Sequence, residues 1–503
     1  MSYEVEPIVI NTDNATAAST SAGLWENRAG VFRVYDVLEI PKCSIAVLAY
    51  NNLVKTKRCV KYILEYTQDI DYELILIDNG SNDGTFDFFQ SVKYEKKKIV
   101  KITKNIGGMF GLLSAREVFS AKYLVLMPND IYVTKNWLSN LLKCYESDPK
   151  IGFVVPVSSN VSNLQQVDLG HKDFKDMQKK AAAFNISNSA KWEERMRLLN
   201  VVSIFSRPVL SIVGMSDAGF VHDFSEDDFT ARIRRAGYKL MLCRDTWVCH
   251  DHDYGERDMD VLNKRLDNGR KAYLEKFHGI DPWDDIVNFE TLLLSHLDTI
   301  PTKNRSAKTL CINPRCGTPV LEVRNKLFKM GYNRILSYAF VTQAKYYTDL
   351  NTVADNVICD RISYIQESYA NNTFDIIVCC DAINLFPKPV TLLQQIYDFL
   401  KPGGVLVFKL RNTDGFNAMF RTVGIKAGFD AEMPAVIPLS EITACLNLFG
   451  GINVTVTGEI ENVSDSDRTA LKKLQKAMNP NASNEDLTRL LLKDYFVKVE
   501  KPL

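Results

Sequence analysis

Three short polar clusters each follow a run of apolar residues in the first part of the chain. They are Tyr50 with Asn51, Asp78 with Asn79, and Asn129 with Asp130. In open parallel sheets, ligands bind beyond the carboxyl ends of the strands. If the apolar runs are strands, an aspartate there is placed to accept hydrogen bonds from a nucleobase or to hold a divalent cation. Taken singly, each cluster is equally typical of a turn.

A second group of ionisable residues lies in the run "FSEDDFTARIRRAGYKL". Ser225 followed by Asp228 is typical of a helix N-cap, and Asp228 with Arg232 is spaced for an i, i+4 ion pair. These acids can therefore simply stabilise a helix N-terminus. Three consecutive acids, Glu226 to Asp228, are nevertheless more than a cap needs.

Two further segments carry residue types that a nucleotide site uses. The run "KNIGGMFGLLSA" contains Gly107 and Gly108, which allow a ribose or diphosphate to approach the backbone closely. A tight strand-to-helix turn needs the same glycines, and the sequence favours neither explanation. The run "RDTWVCHDH" contains His250 and His252; an isolated histidine on a strand is more often structural than a ligand.

The elements that must position these residues follow a strand–helix alternation. Apolar runs at residues 43–49, 72–78, 99–102 and 123–128 predict strands, and helices are predicted at 55–66 and 109–119. Continuous apolar strands are typical of a parallel sheet that is covered on both faces. This first pattern therefore predicts a doubly wound α/β domain.

A second strand–helix alternation begins near Lys308. It predicts strands at 309–313, 334–338, 374–379 and 404–410, helices at 321–330 and 390–400, and two late helices before a closing strand "YFVKVE". Between the two patterns lies a polar helical stretch, residues 281–304, that ends in "PTKNRS". We expect a tail and lead-in at 1–40, a first domain at 41–285, a linker at 286–308 and a second domain at 309–503.

Composition excludes several classes of protein. The 503 residues include 61 Lys plus Arg and 61 Asp plus Glu, so the net charge is zero and binding of nucleic acid mainly through its phosphates is not expected. The one basic run, Lys96 to Lys98, is interpreted as a solvated turn. The length exceeds what one hydrophobic core serves, which agrees with two domains.

The expected location is the cytoplasm. Residues 1–22 lack the basic and apolar regions of a secretory signal, and no apolar run approaches the roughly 18 residues of a membrane span. The eleven cysteines show no repeated CxxC spacing, which favours reduced thiols. Cys311 and Cys316 lack a second pair that would complete a zinc site.

The motifs of the first pattern resemble, in order, those of family 2 glycosyltransferases. The runs "CSIAVLAYNN", "ILIDNGSNDGT" and "YLVLMPNDIYVTKNWL" carry the resemblance, which covers about residues 41 to 285. It implies a GT-A fold and an enzyme that moves a hexosyl or related sugar from a nucleotide-sugar donor to a hydroxyl of a glycan, protein or other polymer. The donor-binding set that follows is Tyr50, Asn51, Asp78, Asn79, Gly107, Gly108 and Asn129.

The third run corresponds to the family's D-x-D motif, whose last acid binds a divalent metal. The resemblance gives this role to Asp130, with Asp78 against the nucleotide base. Pro128 replaces the first acid of the motif, and Asn129 is a weak ligand, so the metal site has one carboxylate instead of two. Mn²⁺ or Mg²⁺ would neutralise the charge that grows on the leaving diphosphate.

The segment "FSEDDFTARIRRAGYKL" resembles the family's block that carries the catalytic base of an inverting transfer. Aligning "RRAGY" with that block places Glu226 at the position of the catalytic base. A shift of one residue would place Asp227 there. The same register gives His250 the role of the family's terminal histidine, a metal or diphosphate ligand, with His252 as the alternative. Trp283, in "YLEKFHGIDPW", is expected to pack beside the acceptor channel.

The second pattern resembles a class I methyltransferase that binds S-adenosylmethionine, in a Rossmann-like fold. The matching runs are "TLCINPRCGTPVLEV", "FDIIVCCDAINLF" and "FLKPGGVLVFKL". The loop that is glycine-rich in that family corresponds to residues 313–319 here, and Gly317 is its only glycine. The strand "RILSYAF" ends without the acid that holds the ribose in the family. Asp360 is a weak match to the acid that precedes the adenine contact. We therefore expect no binding of S-adenosylmethionine, and a domain kept for packing, acceptor docking or self-association.

Three hypotheses follow from these observations. The first is an inverting glycosyltransferase with a non-catalytic methyltransferase-like domain. The second is a bifunctional enzyme that transfers a sugar and also a methyl group. The third is a binding or scaffold protein without either activity, which Pro128 and the altered second loop would explain.

Overall fold

The computed structural model describes residues 3–14, 16–17, 38–214, 217, 219–220, 223–252, 259–300, 306–413, 415, 435–461 and 463–503. The chain forms two compact units, residues 1–287 and 288–503. None of the helices within these ranges is long and apolar enough to cross a bilayer. All eleven cysteines are free thiols.

Unit 1 is built on one mixed sheet of ten strands in the order β1-β4-β3-β2-β5-β9-β7-β10-β6, with β8 paired to β10. The strands are β1 Ile8–Ile10, β2 Leu38–Ala49, β3 Tyr72–Asn79, β4 Lys97–Ile102, β5 Ala121–Pro128, β6 Ile131–Tyr132, β7 Ile151–Ser158, β8 Trp192–Arg195, β9 Ser203–Ser206 and β10 Lys239–His250. From β1 to β5 in this order, neighbouring strands are parallel; β9 is antiparallel to both β5 and β7.

Helices cover this sheet because its strands are apolar on both faces; every residue of β3 is buried. The helices of unit 1 are α1 Leu53–Tyr66, α2 Thr85–Ser91, α3 Gly108–Ser114, α4 Trp137–Glu146, α5 Phe174–Phe184, α6 Arg207–Val213, α7 Ser225–Arg235 and α8 Met259–Lys276. The helix predicted at 109–119 ends earlier, at Ser114, and a separate 3₁₀ turn follows at Arg116–Val118.

Unit 2 contains a seven-stranded sheet in the order β13-β12-β11-β14-β15-β17-β16. Its strands are β11 Ser306–Ile312, β12 Arg334–Val341, β13 Asn356–Cys359, β14 Phe374–Ala382, β15 Leu400–Arg411, β16 Ile452–Ile460 and β17 Leu492–Glu500. The first five in this order are parallel, and β17 is antiparallel to both of its neighbours. The helices are α9 Thr291–Ser295, α10 Thr318–Lys329, α11 Tyr347–Leu350, α12 Ile365–Ser368, α13 Pro389–Asp398, α14 Leu439–Leu448, α15 Asp465–Met478 and α16 Asn484–Leu491.

The structure differs from the sequence-based expectations at the ends of the first domain. Within the predicted tail, Ile8–Ile10 forms a strand that pairs in parallel with β4, with Ile8 opposite Val100. Residues 18–37, which include part of the segment predicted to be a tail, lie outside the described residues. Within the predicted linker 286–308, Leu293, Leu294 and Leu297 are buried, since α9 and the 3₁₀ turn after it pack into unit 2.

The interpretation of the basic run was correct for Lys96, which lies exposed in a turn, but wrong for the two lysines that follow. Lys97 is not in a solvated turn: it belongs to β4 and is buried, and its ammonium donates 2.7 Å to the Gln90 carbonyl oxygen. Lys98 pairs with the buried Glu73 at 2.6 Å. Carbonyl oxygens therefore replace water around the buried Lys97, while Lys98 stays partly exposed and pairs with a buried carboxylate.

Candidate functional site

The three polar clusters meet at one edge of the sheet in unit 1. In the register of the strands, Ala49 of β2 lies opposite Asp78 of β3, and Leu48 lies opposite Pro128 of β5. The carboxyl ends of these parallel neighbours are therefore level. Ligands bind beyond such ends in open α/β sheets, so this edge is the candidate site.

Asp78 is completely buried at this edge. Its Oδ1 accepts a hydrogen bond from the Ser81 amide at 3.0 Å, while its Oδ2 has no partner among the residues that the structure describes. Burial raises the pKa of Asp78, opposed by the bonds from Ser81 and by the charge of Lys101. A buried carboxylate oxygen without a hydrogen-bond partner costs free energy, and it is suited to accept a hydrogen bond from a ligand.

Asn79 orders the loop that contains the two predicted glycines. Its amide nitrogen donates to Asn105 Oδ1 at 3.1 Å and to the Gly107 carbonyl at 3.2 Å, and its Oδ1 accepts from the Ile106 amide. Gly107 has φ 89°, a conformation that glycine adopts at little cost. Gly108 has no such requirement: a Cβ there would make an ordinary contact with Leu48 at 3.8 Å.

Asn51 and Asn129 tie the clusters to one another. Asn51 Oδ1 accepts from the Asn82 amide at 3.0 Å. The side-chain nitrogen of Asn129 donates to the Asn51 carbonyl and to Thr56 Oγ1, both at 2.8 Å. Asn129 is buried, so this amide group holds the turn after β2. Tyr50, the remaining member of the clusters, is 46% exposed beside that turn.

Asp130 lies between two histidines. Its Oδ2 is 3.6 Å from His250 Nε2 and 3.6 Å from His252 Nδ1, and its buried Oδ1 has no hydrogen-bond partner within the described ranges. One ligand atom from each residue lies within 4.8 Å of the other two. Ligands bound to one ion at about 2.1 Å are roughly 3 to 3.5 Å apart, so these side chains fit a single cation. Burial alone would raise the pKa of Asp130, but the two histidines outweigh it and hold the pKa low.

The surrounding groups fix the orientation of this cluster. The Nδ1 of His250 lies 3.0 Å from the Asn160 carbonyl oxygen, which fixes a proton on Nδ1 and turns Nε2 towards Asp130. Between the two histidines, Asp251 accepts from Tyr132 Oη at 2.6 Å, and its amide donates to the Asp130 carbonyl at 2.9 Å. The backbone is thus fixed on both sides of the candidate metal centre.

The three consecutive acids of α7 have different environments. Asp227 is buried in an ion pair with Arg197, 2.5 Å from Nε to Oδ1. Asp228 pairs with Arg232 at 2.8 Å, as its spacing predicted, and also contacts Lys276. Glu226 is partly exposed, and burial raises its pKa to about 7, with a further increase from the charge of Asp227. It lines a small cavity together with Leu126, Phe153, Asn200, Phe205, Phe229 and Thr230.

The start of α7 differs from the predicted one. Ser225 is not the N-cap: the helix begins at Ser225, and the capping position belongs to Phe224, whose side chain offers no hydrogen bond. Phe224 has φ 63°, which is strained for an aromatic residue. Its ring packs 5.5 Å from that of Trp283, and Gly269 of α8 lies against it, where a Cβ would be 2.5 Å from Phe224 Cδ2. Trp283 and Gly269 therefore pack against Phe224, which directly precedes the first turn of α7 and Glu226.

In unit 2, the loop after β11 is held by its own polar side chains. Asn313 has φ 51° and donates from Nδ2 to Asp381 Oδ2 at 2.8 Å, while its Oδ1 accepts from the Thr342 amide at 2.9 Å. It thereby joins the carboxyl ends of β11, β12 and β14. Cys316, next in this loop after Arg315, is buried with its Sγ 3.9 Å from Asp349 Oδ2. Asp360 is exposed after β13.

Comparison with protein families agrees with these two architectures. Residues 44–192 match the family model "Glycosyl transferase family 2", and residues 329–408 match the model "Methyltransferase domain". Residues 44–192 are therefore similar to family 2 glycosyltransferases, and residues 329–408 are similar to methyltransferase domains. The predicted fold class, a GT-A domain followed by a Rossmann-like domain, is confirmed.

Two curated relatives resemble part of the chain. The O-antigen chain rhamnosyltransferase RfbN of Salmonella typhimurium is 27% identical over 223 residues, which are 42% of this chain and 64% of that protein. The uncharacterized glycosyltransferase YfnE of Bacillus subtilis is 24% identical over 111 residues, 22% of this chain and 28% of that protein. The chain thus spans less than two thirds of the length of either relative.

Solved structures of both kinds are also similar. The mannosyltransferase PcManGT of Pyrobaculum calidifontis, in complex with GDP-Man and Mn²⁺, is 18% identical, with a TM-score of 0.36 over 57% of this chain and 79% of that one. A SAM-dependent methyltransferase of Archaeoglobus fulgidus is 16% identical, with a TM-score of 0.30 over 46% of this chain and 98% of that one.

Several residues of the site were not selected from the sequence. Asn160 and Asp251 orient the two histidines, and Arg197 pairs with Asp227. His252 was considered only as a substitute for His250, although both lie close to Asp130. The spacing H-x-H after an apolar strand was an available signal, because residues i and i+2 of an extended chain lie on one side.

Proposed function

We propose that unit 1 transfers a sugar from a nucleotide-sugar donor to a hydroxyl acceptor with inversion at the anomeric carbon. The observation that carries the proposal is the sheet edge itself. Asp78, with an unpartnered buried oxygen, lies at the end of β3, and Asp130, beside His250, follows β5. Only β2 separates these two strands, in a domain whose sequence matches a glycosyltransferase family. Asp78 would supply a carboxylate that recognises the nucleobase, and Asp130 with His250 would supply ligands for a cation.

Donor binding is assigned to the carboxyl edge of the sheet. The buried Oδ2 of Asp78 would accept a hydrogen bond from the nucleobase, and the ordered loop at Gly107 would lie beside the ribose or diphosphate. Asp130 and His250 would hold Mn²⁺ or Mg²⁺, which supplies positive charge to the leaving diphosphate. The fit rests on the unpartnered Asp130 Oδ1 and on the fixed tautomer of His250.

Glu226 is proposed as the general base. It would take the proton from the acceptor hydroxyl as that oxygen attacks the anomeric carbon from the face opposite the leaving diphosphate. A base works best when its pKa lies near the working pH, and the pKa of Glu226 is raised to about 7. The alternative base, Asp227, is engaged by Arg197, which supports the register that selects Glu226.

Unit 2 is proposed to be non-catalytic. Three features support this: Asn313 bridges three strand ends, Arg315 has φ 51°, and two prolines flank the loop. Self-association through this unit is part of the proposal, since β16 is an edge strand paired only with β17 within the described part of unit 2. Light scattering behind a sizing column tests it, because a strictly monomeric protein would exclude self-association.

A thermal-shift screen tests the function of unit 1. Nucleoside diphosphates and nucleotide sugars are added with and without Mn²⁺; a rhamnose donor belongs in the set because one relative is named a rhamnosyltransferase. A ligand at 100 times its Kd stabilises the folded protein by about 2.7 kcal/mol, which is measurable. Donor hydrolysis by the stabilising compound would separate an enzyme from a binding protein. Absence of any shift would contradict the proposal.

A further inference from the structure

We propose that Gln165 and Asn163 are positioning residues for the general base: they hold residues 197–200, the segment that lies beside Glu226. This inference rests on the proposed function, since it concerns the base of the same transfer. The carrying observation is a pair of hydrogen bonds between the Gln165 side-chain amide and one backbone residue. Its Oε1 accepts from the Leu199 amide at 2.8 Å, and its Nε2 donates to the Leu199 carbonyl at 3.1 Å.

The segment 197–200 connects β8 to β9 and adopts no regular secondary structure. Buried backbone groups in such a segment need partners from side chains. Gln165, which is completely buried, supplies both partners at Leu199. Asn163 Nδ2 donates to the Arg197 carbonyl at 3.0 Å and to Gln165 Oε1 at 2.9 Å. The two amide side chains therefore fix the segment at two points.

The fixed segment acts on Glu226 from two sides. The Arg197 side chain pairs with Asp227, the next residue of the helix, at 2.5 Å. Asn200 lines the same small cavity as Glu226. Burial raises the pKa of Glu226, and the charges of Asp227 and Asp223 add to the rise. The charge of Arg197 and a hydrogen bond from the Asn200 backbone oppose it, so the position of the segment helps to set the pKa of the base.

The loop that carries the two amide residues follows β7 and is strained. Asn163 has φ 62° and Leu164 has φ 54°, a conformation that leucine seldom adopts. Such strain persists only where surrounding contacts hold it, and it is common at functional sites. The same loop holds the end of β10: Ser159 Oγ accepts from the His250 amide at 2.9 Å, and Asn160 Nδ2 donates to the His250 carbonyl at 2.9 Å. One loop therefore supports both the donor side of the site and the segment beside the base.

The variant Gln165→Met tests the proposal, because it removes both bonds to Leu199 and keeps the length of the side chain. The segment should move away from Glu226, so the pKa of Glu226 should rise and the acidic limb of kcat/KM should move to higher pH. A displacement of this kind should lower kcat at pH 7 about tenfold to 100-fold. The Kd of a nucleoside diphosphate should stay constant, since the contacts to His250 remain.

The pKa of Glu226 is measured without turnover. Infrared titration of the full-length protein follows its carboxyl band, which is identified by its absence from the Glu226→Gln spectrum. A second variant, Asn163→Gly, removes the bond to Arg197 at a φ that glycine adopts at little cost. It should shift the pKa in the same direction by less, and it decides the question if Gln165→Met does not fold.

The matched control is Asn384→Leu in unit 2. Asn384 is buried and makes the same kind of paired contact: its Nδ2 donates to the Arg411 carbonyl at 3.0 Å, and its Oδ1 accepts from the Arg411 amide at 2.9 Å. Its loss should lower the Tm and leave the pKa of Glu226 unchanged. An equal pKa shift in this control would overturn the inference, because general destabilisation would then explain the result.

The remaining outcomes separate this inference from the proposed function. An unchanged pKa of Glu226 and unchanged kcat in folded Gln165→Met and Asn163→Gly would overturn the inference, even if Glu226→Gln is inactive. A raised pKa in Gln165→Met together with full activity of Glu226→Gln would support the positioning of Glu226 by this loop. That combination would contradict the role of Glu226 as the base, which belongs to the proposed function.

Discussion

Arg197 holds Asp227 in a buried ion pair, with Nε of the arginine 2.5 Å from Oδ1 and its NH2 group 3.1 Å from Oδ2. The guanidinium charge therefore lies against the Asp227 carboxylate, and Oδ2 accepts a hydrogen bond from it. The adjacent Glu226 is not paired in this way and lines a small cavity. Neighbouring acids on one helix are therefore suited to different tasks, one to structure and the other to proton transfer.

The substitution Glu226→Gln should abolish most of the transfer but leave donor binding nearly unchanged. It removes the proton acceptor and preserves the shape, so we expect kcat to fall about 10²- to 10⁴-fold. Calorimetry with the nucleoside diphosphate should give a Kd close to that of the unaltered protein. Near-normal turnover in this variant would exclude Glu226 as the base.

Asp227→Asn should instead lower stability. It leaves the Arg197 cation largely buried without its counter-charge, and breaking a buried pair costs about 3 to 5 kcal/mol. The expected result is a lower Tm, with transfer retained in the fraction that is folded. A variant with normal Tm and no turnover would show that the base is Asp227 and that the register is wrong by one residue.

Transfer should depend on pH through Glu226. The base acts in its ionised form, and its pKa is raised to about 7, so kcat/KM should rise with pH and level off above about 7. At pH 6 we expect about a tenth of the plateau. A carboxylate with an ordinary pKa would give a flat profile over this range, and that result would contradict the assignment.

The same raised pKa has a consequence for stability. The folded state favours the protonated form of Glu226. The contribution of this carboxyl group to the free energy of unfolding is therefore fully present below its unfolded pKa near 4.5, and it is lost as the pH rises through about 7. Glu226→Gln cannot ionise and should lose less stability between pH 5 and pH 8. The difference in Tm between the two proteins over this range provides the measurement.

Much of the framework could be predicted from the sequence because its signals are local. Continuous apolar runs marked the strands, and the residues selected from the "RRAGY" register lie on a helix, Glu226, and at the end of a strand, His250. What the sequence did not reveal depends on distant partners: Asn129 bonds to Thr56, 73 residues away, and β1 pairs with β4 across about 90 residues. The start of α7 was missed because Phe224 adopts a positive φ that its residue type does not predict.

Asp78 and Asp130 should affect nucleotide binding in distinguishable ways. Asp78→Ala removes the proposed base contact, so nucleoside diphosphate binding should weaken by about 1.5 to 3 kcal/mol with or without Mn²⁺. Asp130→Ala removes a metal ligand, so binding should weaken only in the presence of Mn²⁺. Calorimetry on both variants under both conditions gives the comparison. An Asp130→Ala variant with the same affinity at every Mn²⁺ concentration would mean that Asp130 is no ligand.

Gly269→Ala should impair transfer through Phe224. The added Cβ would lie 2.5 Å from Cδ2 of the Phe224 ring, so the ring and the start of α7 must shift. A displacement of about 1 Å near reacting groups can cost about 10²-fold in rate. We expect kcat to fall and the nucleotide Kd to stay constant. The control is Lys271→Ala on the exposed side of α8, which should keep full activity. Full activity in Gly269→Ala would show that Phe224 does not position Glu226.

Unit 2 should not bind S-adenosylmethionine with useful affinity. A cofactor of this kind lies against a glycine-rich loop, whose missing side chains allow close approach. Here Asn313 spans the ends of three strands, and Pro314 and Pro319 each remove a backbone donor. The strand before Thr342 supplies no carboxylate for the ribose. Each lost hydrogen bond to a charged group costs about 1.5 to 3 kcal/mol, so together the losses weaken binding by orders of magnitude.

Calorimetric titration of the full-length protein with S-adenosylmethionine measures this directly, and S-adenosylhomocysteine serves as a second probe. We expect no heat of binding at concentrations where an intact methyltransferase site would saturate. The folded state should persist, because the buried strands β14 and β15 do not depend on the loop. Binding in the micromolar range, or transfer of a methyl group to a glycosylated product, would contradict the prediction and favour a bifunctional enzyme.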